Sequence, residues 1–290
     1  MTTEAVPASA GVVRHESFAV AEPPQVLVHV GADPVVVELV EGSRQAEVHV
    51  ALDTTLDGNG HYERFLQAVR GTALGADADS EEGLRSHLLS STEITCSSFD
   101  RRLVVRSPQR GAVRFGTVAI TVRVPAGSDL VVRGDVVTLD AIGAAGDVRV
   151  KARRGEVHVA SASSLDLRLR QGSARVDRVH GPLTADLRAA SLEVADLGGD
   201  ADVVSSRGAV ALTLRPGGAV DLSLSTAGTV DLSGLPPVVE PPAGGPREDP
   251  GGGAPARRVS VASGTGQVRL SRGAEPTATP DVTAAGPDGP

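Results

Sequence analysis

Between about Gly127 and Leu235 the chain repeats itself with a period of roughly 18 residues. Leu165, Leu183 and Ala201 stand at one equivalent position, and Ala174, Leu192 and Val210 at another. The first clear unit runs Val148, Val150, Ala152, then Arg154-Gly155, then Val157 and Val159. The second runs Leu165, Leu167, Leu169, then Gln171-Gly172, then Ala174 and Val176. Three more follow in order, centred on Ala190, Gly208 and Gly228, and a last one from Val259 to Leu270 comes after a Pro- and Gly-rich stretch. Each unit is two apolar/polar alternations around a tight corner, so each predicts two short strands with one apolar face. One unit cannot bury that face by itself; neighbouring units must supply both a core and a backbone ladder. Glycine near mid-unit (Gly155, Gly172, Gly208, Gly228) is expected to provide positive φ at the corner.

Two geometries satisfy this pattern. In a β-solenoid, equivalent strands stack in parallel; in an antiparallel meander or sandwich, each corner is a hairpin. The expected fold class is all-β, a solenoid-like repeat of two-strand units, with the meander as the alternative. Aromatic residues make up 2% of the chain, and Phe18, Tyr62, Phe65, Phe99 and Phe115 all lie outside the repeat. The repeat core is therefore Val, Leu and Ala, which suits a thin stacked interior.

The remaining segments divide around the repeat. Residues 1–13 and 274–290 read as disordered tails, and 236–256 as a disordered Pro/Gly loop. An N-terminal β region over 14–125 contains strand-like segments such as Val26–Val30, Val35–Val40 and Val48–Leu52. Within it, Tyr62, Phe65, Leu66 and Val69 fall on one face of a helix, so a helical insert is expected at about 57–92. The repeat region spans 126–235, and a final β unit 257–273.

The N-terminal strands, the segment Leu103-Val104-Val105-Arg106, the run from Val122 through Pro125-Ala126-Gly127 to Leu130, and the Gly146-Asp147-Val148-Arg149-Val150 pattern resemble the bacterial putative-adhesin family of β-strand repeat proteins. The resemblance covers about Arg14 to Arg272 and implies a β-repeat fold without a catalytic residue set.

Composition narrows the function classes. A net charge of −8 opposes general nucleic-acid binding, which needs a positive field to displace counterions. Lys151 is the sole lysine, a bias in keeping with a GC-rich bacterial genome. Cys96 is the sole cysteine, so no intramolecular disulfide forms. No apolar run approaches the ~20 residues of a membrane helix, and Met1–Ala10 lacks the pattern of a secretory signal, so a cytoplasmic location is expected, with a surface location left open.

The chain carries no Gly-x-Ser-x-Gly elbow and no phosphate loop, and no cofactor or metal is implied. His29 and His49, on successive strands opposite the valine face, can meet across a sheet, but two imidazoles are half a zinc site and read as solvated surface. The one candidate site is a column of cations. Arg153, Arg170 and Arg188 fall at equivalent outward positions, and Lys151 and Arg168 form a second short column continued by Asp186. Stacked like charges repel unless acids or a bound anion intervene; Glu156, Asp166 and Asp177 are the nearby acids. The expected function is a non-catalytic structural or interaction module with a protein or acidic-polymer partner. The alternatives are self-assembly through an open end of the stack and, behind it, a polysaccharide-active enzyme.

Overall fold

The computed structural model describes residues 13–31, 33–52, 89–107, 118–216, 220–234 and 257–273. The helix face read at residues 62–69, residues 1–12 and 274–290 of the tails and the loop at 236–256 lie outside these residues; Val13, read as tail, opens the first strand. The described chain is all-β and hydrogen-bonds into one 15-stranded sheet.

The strands, in chain order, are β1 (Val13–Ala19), β2 (Gln25–Val30), β3 (Pro34–Val40), β4 (Gln45–Leu52), β5 (Glu93–Ser97), β6 (Arg102–Arg106) and β7 (Val118–Pro125). They continue as β8 (Asp129–Val179), β9 (Leu183–Leu197), β10 (Ala201–Arg207), β11 (Val210–Leu214), β12 (Val220–Thr226), β13 (Val230–Gly234), β14 (Arg257–Ser263) and β15 (Val268–Arg272). The long β8 holds several repeat units, because ladder pairing continues through its corners, as at Gln171-Gly172-Ser173 opposite Ala189-Ala190-Ser191.

Repeat units pair in parallel and in register. Leu165 lies opposite Leu183, and Ala174 opposite Leu192. Leu183 lies opposite Ala201 in turn, and Leu192 opposite Val210. Equivalent strands therefore sit side by side, where hairpins of a meander would have turned back antiparallel. Inside β8 the same offset links side chains: Arg153 to Asp135 and His158 to Asp140, each 18 residues apart.

The alternation buries what the sequence assigned to the core. Val148, Val150, Leu165, Leu167, Leu183 and Leu187 are at most 2% exposed, and the polar residues between them face outward. One apolar cluster runs from Val26 to Leu270, so burial is continuous through the N-terminal strands and the repeat.

The mid-unit glycines are explained by close approach. A Cβ on Gly155 would lie 2.0 Å from the Val137 carbonyl oxygen, and one on Gly172 would lie 1.9 Å from that of Gly155. The column continues through Ala190, Gly208 and Gly266 to Gly228. Only Gly172 and Gly208 of the four glycines expected to have positive φ do so, at 121° and 135°. Gly155 and Gly228 are glycine because the neighbouring backbone leaves no room for a side chain.

The order of the units departs from the order of the sequence at both ends. β14 pairs in parallel with β10 on one side and β12 on the other; β15 lies likewise between β11 and β13. The last unit is thus inserted between the fourth and fifth. At the other end β2 lies between β6 and β8, and β3 between β7 and β8, so the first unit is inserted inside the second. β4 then runs antiparallel to β7, β1 antiparallel to β4, and β5 antiparallel to β6.

Candidate arginine groove

The corner column positions the candidate cations. In each unit the last buried aliphatic before the corner is followed by outward residues: Ala152 by Arg153 and Arg154, Leu169 by Arg170 and Gln171, Leu187 by Arg188 and Ala189. Because the corners stack, these residues converge. Arg153, Arg154, Arg170, Gln171, Arg188, Ala189 and Arg207 line one shallow groove of about 280 Å³. The three arginines of the first column are thus brought together. Arg154 and Arg207 also join them; both stand directly before a corner glycine, a signal present in the sequence.

The charges in this groove are unequally matched. Arg153 is held by Asp135, with Nε donating to Oδ1 at 2.6 Å and Nη2 to Oδ2 at 2.8 Å. Arg154 donates from Nε to the Gln171 side-chain oxygen at 2.9 Å. Arg170, Arg188 and Arg207 form no ion pair among the described residues. Of the acids expected to neutralise the column, Asp166 instead lies 3.6 Å from Arg168, Asp177 lies 3.6 Å from Arg175, and Glu156 forms no ion pair among the described residues.

Lys151 and Arg168 line a separate recess with Arg133, Arg149 and Asp166. Arg168 pairs in register with Asp186, so this column carries its own acids. The face formed by the second strand of each unit is also matched. His158 lies 2.8 Å from Asp140 and 3.4 Å from Asp177, and the hydrogen bond to Asp140 is the main cause that raises its pKa above the usual imidazole range. Asp196 accepts from Arg215 at 2.7 and 3.0 Å and from Arg178 at 3.1 Å, which lowers its pKa, chiefly through Arg215. Arg133, Arg149 and Lys151 also form no ion pair among the described residues, but their recess includes the Asp166 carboxylate, whereas the arginine groove is lined by no acid.

His29 and His49 do not meet. His29 sits on β2 opposite Arg106 and Arg133, where burial first and those cations second lower its pKa. His49 sits on β4, opposite His15 of β1. No helix among the described residues is long and apolar enough to cross a membrane.

No protein-family model matches the chain, and no curated protein matches it. Solved structures do. The chain is similar to a putative adhesin from Bacteroides fragilis at 8% identity and a TM-score of 0.43, covering 89% of this chain and 97% of that one. It is also similar to a putative adhesin from Parabacteroides distasonis (14% identity, TM-score 0.40, 90% and 98% covered). A putative cell adhesion protein from Clostridium sporogenes is a third (11%, 0.34, 90% and 100% covered).

Proposed function

We propose that this chain is a non-catalytic interaction scaffold, a β-solenoid of two-strand coils resembling the putative adhesins, whose arginine groove binds an acidic polymer. One observation carries the binding reading: Arg170, Arg188 and Arg207 share a groove without a carboxylate partner, and of its five arginines only Arg153 is ion-paired. Guanidinium forks on neighbouring coils, about 4.8 Å apart, offer bidentate donors at a spacing that suits repeated carboxylates or phosphates. The coil face holds no aromatic platform for a neutral sugar, so charge is the recognition element.

The test is retention of the full chain on immobilised polygalacturonate and polyphosphate at low salt. Replacing Arg170, Arg188 and Arg207 together by Ser is expected to weaken binding at least tenfold, with a smaller effect from Lys151→Ser/Arg168→Ser. The net charge of −8 repels an acidic polymer globally, so a local patch must carry any binding. Retention unaffected by the triple substitution overturns the reading.

A second reading, self-association through the end of the stack, is favoured by β12 and β13. Their outer edges pair with no described strand, and Leu232 is 38% exposed. Unpaired edges template further pairing. Light scattering on a chain ending at Arg272 decides this; a monomer at high concentration refutes it.

A further inference from the structure

At the opposite end of the stack the antiparallel edge pair of β1 and β4 gathers three metal-ligating side chains. His15 and His49 are directly opposed in the antiparallel register, and their rings stack with centroids 4.1 Å apart and 17° between planes. Glu47 precedes His49 by two residues, so it projects from the same face. Its Oε2 lies 3.8 Å from His49 Nε2, and one ligand atom from each of the three falls within 4.8 Å of the others. No other group of three such residues forms among the described residues.

The neighbours leave this trio available. Arg123 of β7 lies opposite Glu47 in register, yet its nearest carboxylate contact is Glu38 on β3, at 3.9 Å. Thr121, opposite His49, adds a neutral neighbour. The His15 and His49 rings make no hydrogen bond to another described residue. Two imidazoles and a carboxylate converging from one face make a three-ligand set with its remaining coordination positions open to solvent. That donor set suits borderline divalent ions such as Zn²⁺, Co²⁺ and Ni²⁺ better than the all-oxygen preference of Ca²⁺ or Mg²⁺.

We propose that His15, Glu47 and His49 form a surface site for a divalent transition-metal ion, which would tie the edge strand β1 to β4. The site is independent of the arginine groove.

The experiment titrates zinc chloride into the full, untagged chain by calorimetry and follows cobalt(II) by its visible absorption. One high-affinity equivalent per chain is expected. His15→Ala/His49→Ala should abolish it, and Glu47→Gln should weaken it at least tenfold. His158→Ala, which removes an imidazole already set between two carboxylates, should leave it unchanged. Circular dichroism confirms that each variant keeps its β spectrum. Uptake that persists in the double variant, or no uptake at millimolar zinc, overturns the proposal.

Discussion

At the N-terminal end three antiparallel strands, β4, β1 and β5, close over the outermost parallel unit, whereas at the C-terminal end β12 and β13 form the last rungs with no described strand beyond them. The burial of the two edges follows. β7 alternates fully buried residues along its length, with Val118, Val122 and Val124 at 0% exposure. β12 has no fully buried residue at all. Both ends tuck a unit from elsewhere in the chain inside the terminal one, yet only one end reverses strand direction. A parallel ladder offers the next parallel strand a ready template; reversing the chain replaces that template with a different hydrogen-bond pattern. The contrast separates two devices, interleaving, which both ends use, and capping, which one end uses.

The comparison breaks most severely at the interleaved units. Val261→Asp places an unpaired charge between β10 and β12, and Val28→Asp does the same between β6 and β8. Each is expected to cost about 4 kcal/mol or more. Hydrogen exchange should show the Val261 variant losing protection over 201–234 while the N-terminal strands keep theirs, since repeat units are coupled mainly to their neighbours. Uniform loss along the chain would show that the ends are not separable.

Next in size is Gly172→Val, which combines a φ of 121° with a Cβ placed 1.9 Å from the Gly155 carbonyl oxygen. Several kcal/mol of destabilisation in urea denaturation are expected. Truncation in the interior and at the open edge sharpens the contrast further. Leu187→Ala, in the closed interior, should cost about 2–5 kcal/mol. Leu224→Ala, on the half-buried β12, should cost about 1 kcal/mol or less.

The smallest effect concerns pH. His158 has a raised pKa in the fold, so its pairing stabilises fully below the unfolded value and is lost as pH rises through the folded one. Stability should therefore decline gently as pH climbs above 6.5, and His158→Asn should flatten that slope. Because the side chain is 41% exposed, solvent screens the pair and the effect is slight.

How much of this was legible in the sequence depends on what sets each feature. The two-strand unit and its aliphatic core follow from alternation, which requires no knowledge of the neighbour. The meeting of Arg153, Arg170 and Arg188 follows from the period alone. The interleaving does not: the units at 201–214, 220–234 and 257–272 carry the same alternation, so any can pair with any, and sequence order is a poor guide. The partner of Arg153 was missed although Asp135 stands one period before it. Positive φ holds at Gly172 and Gly208 but not at Gly155 and Gly228, where crowding by a stacked backbone, invisible in one chain segment, requires the glycine. His15 escaped notice because its neighbour is fixed by an antiparallel register at the cap, outside the period.

The interleaving also has a vectorial consequence. Emerging from the ribosome, β2 and β3 come first at their end, and later strands add to either side of them. At the other end β12 and β13 are made before β14 and β15, which must lie beneath them. Assembly there cannot proceed as simple zipping in the order of translation. The surface of β10 and β11 must stay open, or give up an early occupant, until Arg272 has been synthesised.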